Sequence, residues 1–213
     1  MKLNIMAFLA LLWVAGSAAA DDASALVLAA RLDNPTSVKK LLARGASPNA
    51  IDPVSGEPVL VAALRENASA AAAVLLADKQ INLELRAPNG NTALMMAAFK
   101  GDKAIVASLL ARGAVVNQQG WAALHYAAAG GFADIAALLL ASHAAIDAES
   151  PGKQTALMIA AREGHEDVVG LLLREGANAR LANSDNMTAA QLALSRDKPR
   201  IAAAIARHLA AKP

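Results

Sequence analysis

The chain contains nearly the same stretch of sequence twice, with the same internal spacing. Residues 91–117 read NTALMMAAFKGDKAIVASLLARGAVVN, and residues 154–180 read QTALMIAAREGHEDVVGLLLREGANAR. Aligning the rest of the chain on this pattern gives six equivalent starts, at intervals of 33, 35, 30, 33 and 33 residues: Ser24, Glu57, Thr92, Ala122, Thr155 and Thr188. A repeat of about 33 residues constrains the fold strongly, because it is typical of small units stacked into one array.

Each unit carries the signals of two helices separated by a turn. An alanine pair follows the start by five and six residues, as at Ala97–Ala98, and a turn residue such as Gly101 follows by nine. A second apolar segment comes next, and three of these segments are followed by Gly45, Gly113 and Gly176, with His143 in that place in the fourth unit. Because a left-handed residue commonly follows a helix, we expect the second helix of each unit to end there.

The repeated motif resembles the ankyrin repeat. The family pattern Gly-x-Thr-Pro-Leu-His-x-Ala-Ala is matched by residues 90–98, GNTALMMAA, and its closing Gly-Ala-x-Val-Asn is matched by residues 113–117. The resemblance runs from about Ser24 to the C-terminus. It implies an all-α, ankyrin-repeat solenoid of stacked helix-turn-helix units joined by short hairpin-like loops.

Several positions depart from the family pattern. Only Pro58 matches the motif proline, only His125 matches the motif histidine, and the unit of His125 has Ala122 in place of the threonine. The hydrogen bond that the family makes between threonine and histidine is therefore missing from every unit. We expect close packing to hold the units together instead.

The first twenty residues differ from the rest of the chain. Lys2 precedes an apolar run from Ile5 to Val14, and the small residues Ala18 and Ala20 fit a cleavage site after Ala20. The alternative is an uncleaved membrane anchor, although the run is shorter than the roughly 20 residues of a spanning helix. We expect a signal peptide, an exported (periplasmic or secreted) protein, and no stable membrane insertion after cleavage.

We therefore divide the chain into two parts. Residues 1–20 form the signal peptide, and residues 21–213 form the ankyrin-repeat domain. Its units lie near residues 24–56, 57–91, 92–121, 122–154, 155–187 and 188–213, and the first and last units act as caps. Stacked repeats need such atypical terminal units because no neighbour covers their outer side.

Composition and charge narrow the classes of partner. The formal net charge is +2 at pH 7 and no block of like charge occurs, so the chain lacks the electrostatic pattern of a nucleic-acid-binding protein. There is no cysteine, which excludes a disulfide, a thiol nucleophile and a thiolate metal site. We expect no nucleic-acid partner and a monomer.

The sequence offers no set of residues for catalysis. The four histidines are spread over three units: His125 and His143 in the fourth, His165 in the fifth and His208 in the sixth. The repeat explains the first three of them structurally. No nucleophile elbow or glycine-rich phosphate loop occurs. Glu163, Glu166 and Asp167 lie close together in the sequence, but a solvated helix turn explains them better than a pair of catalytic carboxylates. We expect no enzyme activity, no cofactor and no metal site.

The resemblance places partner contacts on a concave face made of the first helices and the loops. The positions that the family uses lie just before the motif threonine and seven to eight residues after it. In this chain they are Leu64, Arg65, Phe99, Lys100, Trp121, Arg162, Glu163, Met187, Ser195 and Arg196. Trp121 is the only tryptophan after the leader, and tryptophan is enriched among residues that dominate binding energy.

Two interpretations of the aromatic residues stay open. Trp121 and Phe99 either anchor a partner, or they pack against the chain, with Trp121 sealing its shortened loop. Tyr126 and Phe132 we assign to the core and to a turn.

We expect a non-catalytic module that binds another protein in the periplasm or outside the cell, inhibiting, protecting or supporting it. The alternative is an exported protein that binds a small molecule or a metal through the histidines and Trp121.

Overall fold

The computed structural model describes residues 22–211, so the predicted leader lies outside the described residues. The helices are α1 (residues 22–31), α2 (Pro35–Ala43), α3 (Val59–Arg65), α4 (Ser69–Ala77), α5 (Ala93–Lys100), α6 (Lys103–Ala111), α7 (Ala123–Gly130), α8 (Ala133–Ala141), α9 (Ala156–Glu163), α10 (Glu166–Arg174), α11 (Ala189–Ser195) and α12 (Pro199–Ala211). Within residues 22–211, extended pairing is limited to two isolated β-bridges, Ile51 with Pro58 and Ala182 with Thr188. The predicted all-α class and the helix pairs are confirmed.

Local sequence explains where many of these helices begin. The side-chain oxygens of Asn34, Asp102, Thr155 and Thr188 accept hydrogen bonds from backbone N–H groups three residues further on. Such caps satisfy N–H groups that have no partner inside the helix. At Thr188 the cap is reciprocal, because Gln191 Oε1 accepts from Thr188 N at 2.8 Å.

The second helices end largely as the repeat predicts. Gly113 follows α6 with φ +82°, and His143 follows α8 with φ +64°, both in the left-handed region. The second repeat differs, because α4 is followed by Asp78, whose backbone is extended (φ −73°, ψ 129°). Its two additional residues give the chain room to leave the helix without a left-handed residue.

The alanine pairs form the tightest part of the core. Both alanines are buried in the first five units, and Ala62–Ala63, Ala97–Ala98, Ala127–Ala128 and Ala160–Ala161 are fully inaccessible. In the sixth unit Ala193 is buried, whereas Leu194 occupies the second place and is 59% exposed. The small alanine side chains let helix backbones approach closely.

The described residues divide into two compact units, which meet in the chain between Ala93 and Leu94. In the first, α4 packs against α2 and α3. In the second, the first helices α7, α9 and α11 pack side by side in one layer. The second helices α6, α8, α10 and α12 form the other layer. The core of the second unit lies between these layers, and six consecutive residues of α9, Ala156–Ala161, are buried there.

Side-chain clips join successive repeats within each compact unit. Asn49 Oδ1 accepts from Asn82 N at 2.7 Å in the first compact unit. In the second, Asn117 Oδ1 accepts from Ala145 N at 2.8 Å, and Asp147 Oδ1 accepts from Asn178 N at 2.9 Å. Each bond joins the end of one repeat to the end of the next, so polar contacts supplement the close packing.

Candidate protein-binding surface

Three aromatic side chains meet on the second compact unit. The ring of Tyr126 lies between the other two, with its centroid 6.1 Å from that of Phe99 and 6.0 Å from that of Trp121. The Phe99 and Tyr126 planes stand at 84°, an edge-to-face arrangement that aromatic pairs favour. We call Phe99, Trp121 and Tyr126 the aromatic cluster.

The cluster is part packed and part open to solvent. Phe99 is 46% exposed and Trp121 is 40% exposed, while Tyr126 is half-buried. The described residues contain four phenylalanine, tryptophan or tyrosine side chains, and three of them belong to this cluster. Ring contacts hold Phe99 and Trp121 in place, yet much of each ring faces outward.

The repeat places the three rings together. Phe99 lies near the end of α5, Tyr126 lies in α7, and Trp121 lies in the shortened loop before α7. Tyr126 follows its start by four residues, where four of the other five units carry a buried residue and the first unit carries the exposed Leu28: Val61, Met96, Ile159 and Leu192 are the buried ones. Sequence reasoning assigned Tyr126 to the core and missed its place between Phe99 and Trp121. A residue with a polar tip at an otherwise aliphatic position was the available signal.

The ring of His125 contacts the ring of Trp121 edge to face. Its side chain is buried, and its ring centroid lies 5.6 Å from that of Trp121. His125 Nδ1 accepts from Ala122 N at 3.0 Å, and Nε2–H donates to Ala148 O at 2.9 Å. Burial lowers the pKa of His125, since a buried ring loses the hydration of its charged form. Neutral His125 therefore makes the bond that Gln191 makes at Thr188, in which a side chain in the first turn accepts from the N–H of the residue just before the helix.

Polar residues predicted for the face lie at the ends of two first helices, α5 and α9. Lys100 follows Phe99 directly and is half-buried. Arg162 Nε donates to Glu163 Oε1 at 2.9 Å, and its Nη1 donates to Gln154 Oε1 at 2.9 Å. These bonds hold the Arg162 guanidinium in one orientation.

The remaining predicted residues of the second compact unit lie apart from the aromatic cluster in the chain. Met187 is half-buried in a tight loop, where its N–H donates to Asn183 Oδ1 at 2.9 Å. Ser195 and Arg196 are exposed at the end of α11. No contact in the structure tests a partner-binding role for any residue of this face.

The first compact unit changes the prediction for Leu64. Leu64 is only 2% exposed, so its side chain is not available to a partner. Every residue of α3 from Val59 to Leu64 is buried. We therefore leave Leu64 out of the binding surface.

Arg65 is already engaged within the chain. Its guanidinium forms ion pairs with Glu57 and with Glu66. Arg31 pairs with Asp52 at 2.9 Å and with Glu57 at 3.4 Å, so two arginines enclose two buried carboxylates. A hydrogen bond from Ser55 is the main cause that lowers the pKa of Asp52. This network ties α1, the loop after α2 and α3 together.

The histidines do not come together in the structure. His165 Nε2–H donates to Ala129 O at 3.0 Å, in the inter-helix turn where the motif places it. Among residues 22–211, no group of three histidine or acidic side chains is arranged to hold a metal ion. In the same range no helix is both long and apolar enough to span a bilayer.

The chain matches one protein-family model and several curated proteins. The family model for ankyrin repeats (3 copies) matches residues 26–119, 59–151 and 142–212. The mouse B-cell lymphoma 3 protein homolog is 31% identical over 168 residues, covering 76% of this chain and 38% of that protein. The mouse Protein fem-1 homolog A-like is 36% identical over 104 residues, covering 47% of this chain and 16% of that protein. The chain thus spans only a minor part of these curated relatives.

Two solved structures that are similar to this chain are ankyrin repeat domains as well. The ankyrin repeat domain of Bcl-3 superposes with a TM-score of 0.69 at 30% identity, covering 83% of this chain and 80% of that one. An ankyrin repeat domain from Acinetobacter baumannii AYE gives a TM-score of 0.74 at 27% identity, covering 86% of this chain and 96% of that one. The matched residues include both compact units, and the chain belongs to the ankyrin repeat family.

Proposed function

We propose that this protein is an exported, non-catalytic module that binds another protein on the face formed by its first helices. Ankyrin repeats are in general protein–protein interaction modules, and the chain belongs to that family. The aromatic cluster is the observation that carries the choice of face.

The cluster has the properties of an interaction anchor. Phe99 and Trp121 expose 46% and 40% of their surface, yet ring contacts hold both of them. Rigid aromatic side chains lose little conformational entropy on binding and bury a large area. Lys100 and the Arg162–Glu163 pair supply polar groups, in keeping with the apolar centre and polar rim of many interfaces.

Capture of a partner tests this proposal. The chain from Asp21 onward is immobilised and exposed to extract of the cells that make it. A Phe99→Ala/Trp121→Ala double variant runs in parallel, and Val115→Ala serves as the control, because Val115 is an exposed apolar residue of the second compact unit that lies outside the first helices. We expect a protein that the native and control chains retain and the double variant loses, with all three melting at similar temperatures. Equal retention by the double variant would remove the aromatic cluster from the binding surface.

Export rests on the leader, which the comparisons do not address. We propose that the chain is cleaved after Ala20 and acts in the periplasm or outside the cell. Cell fractionation followed by intact-mass measurement tests this. We expect a chain that begins at Asp21 outside the cytoplasm, whereas a full-length chain confined to the cytoplasm would contradict export.

A further inference from the structure

The second helices of the last two repeats enclose a groove remote in sequence from the aromatic cluster. It lies between α10 and α12 and has a volume of about 390 Å³. Buried apolar side chains form its floor, and smaller or charged residues form its sides and ends: Glu166, Val169, Gly170, Leu173, Arg200, Ile201, Ala203, Ala204 and Arg207. This volume lies within the range of small-molecule sites, which are lined mainly by apolar groups with a few polar ones.

Gly170 keeps the groove open. It lies in the interior of α10, where glycine is less favourable than alanine. The equivalent residues of the two preceding units are Ala107 and Ala137. Packing does not require the glycine, because an added Cβ would meet only Arg174 Nη1, at 3.4 Å. The absence of a side chain at Gly170 therefore leaves the groove wider at this point.

One end of the groove is positively charged. Arg207 follows Arg174 by the repeat length of 33 residues, so the two arginines occupy equivalent places on adjacent helices. Arg207 lines the groove, and Arg174 Nη1 lies 3.4 Å from the place that a Cβ on the lining residue Gly170 would occupy. Within residues 22–211, neither guanidinium forms an ion pair. At the other end Glu166 lies with Arg200, and their opposite charges offset each other.

We propose that this groove binds a single-chain aliphatic anion, such as a fatty carboxylate. The headgroup lies between Arg174 and Arg207, since guanidinium groups form paired, charge-assisted hydrogen bonds with carboxylates. The hydrocarbon chain runs along Val169, Gly170 and Ile201 toward the neutral end. This site uses none of the residues proposed to bind the partner protein.

Titration with decanoate below its micelle concentration, followed through backbone amide NMR shifts of the whole chain, tests the proposal. We expect saturable shifts confined to α10 and α12. Decyltrimethylammonium has the same chain with a cationic headgroup and should produce no saturable shift. Equal saturable binding of both compounds would show that the headgroup is not recognised and would overturn the proposal.

Two variants and one matched control locate the site. Gly170→Leu fills the groove and should abolish binding, whereas Ala107→Leu makes the same new side chain at the equivalent place in another repeat and should leave binding unchanged. Arg174→Gln/Arg207→Gln keeps the groove open and should weaken binding about tenfold or more, because charge-assisted hydrogen bonds are among the stronger ones. The arginine variant decides the question if Gly170→Leu fails to fold. Native affinity in the arginine variant, or in a folded Gly170→Leu chain, would overturn the proposal.

Discussion

At the scale of single residues, histidine and leucine show how the repeat assigns a role to a position. The unit of His125 has no hydroxyl cap, and the His125 ring nitrogen accepts from Ala122 N instead, at the start of α7. This role requires the neutral ring, because a protonated Nδ1 cannot accept a hydrogen bond. The side chain of Leu64 in the second repeat is buried, whereas that of Leu28 in the first repeat is 59% exposed. The same residue type is core in one place and surface in the other.

We predict that His125 makes stability depend on pH. Its folded-state pKa is lowered below the ordinary value of 6.5, so the unfolded chain binds more protons in the window below pH 6.5. The stabilising contribution is present above pH 6.5 and is lost as pH falls from there toward the folded-state pKa. Urea unfolding at a series of pH values, for the native chain and for His125→Gln, measures it. Glutamine can still accept from Ala122 N but does not titrate, so equal pH dependence in both chains would contradict this role.

We predict that Leu64→Ala lowers the free energy of unfolding by about 2–5 kcal/mol, as expected for a buried leucine. Leu28→Ala is the control in the same compact unit and should change it by about 0.5 kcal/mol or less. Urea unfolding monitored by circular dichroism measures both. A Leu64→Ala chain as stable as the control would return Leu64 to the accessible surface.

At the scale of structural elements, helix ends and clips determine how one repeat meets the next. His143 adopts a left-handed conformation that Gly113 adopts in the preceding unit. The same residue connects to the Asn117 clip, because Asn117 Nδ2 donates to His143 O at 2.9 Å. Both features lie at exposed positions, where sequence patterns tolerate much variation.

We predict that His143→Gly raises the free energy of unfolding by up to about 1 kcal/mol. Glycine removes the steric penalty of the left-handed conformation, partly offset by the greater freedom of the unfolded chain. Ser142→Gly is the matched control, since Ser142 has φ −95° and gains nothing from glycine. Thermal unfolding of the two variants should move in opposite directions. A loss of stability in both would show that His143 is not strained.

We predict that Asn117→Ala lowers the free energy of unfolding by about 1–2 kcal/mol, because it removes two hydrogen bonds to the next repeat. Gln119→Ala changes another polar residue of the same loop and should have little effect. Amide hydrogen exchange locates the change, with faster exchange expected at Ala145. Unchanged protection there would mean that the clip does not hold the loop.

The sequence predicted the positions of the helices better than the exposure of single side chains. Spacing places the helices, because each unit must repeat the same buried positions to pack against its neighbours. Spacing predicted that a second helix ends at His143, and the structure confirms a left-handed residue there. The alanine pairs recur at the same spacing, and the structure shows that they are buried in the first five units. Exposure was harder to predict: Leu64 is buried although its position was predicted to contact a partner, and Tyr126 is half-buried although it was assigned to the core. Spacing alone does not give the depth at which a side chain lies.

At the scale of the whole molecule, two compact units share one repeating design. Each has its own buried core, and the family model covers both. Stability in such an array comes from contacts between neighbouring repeats. The aromatic cluster is the part of the surface that we propose for recognition, and it lies on the second compact unit.

Site-specific photo-crosslinking tests the central claim most directly. A photoreactive phenylalanine derivative replaces Lys100, beside the aromatic cluster, or Ala107, exposed on α6 in the layer of second helices. The labelled chains are irradiated in extract of the cells that make the protein, and covalent adducts are identified by mass spectrometry. We predict one protein adduct from the Lys100 position and none from Ala107. An adduct from Ala107 alone would contradict binding on the face of the first helices.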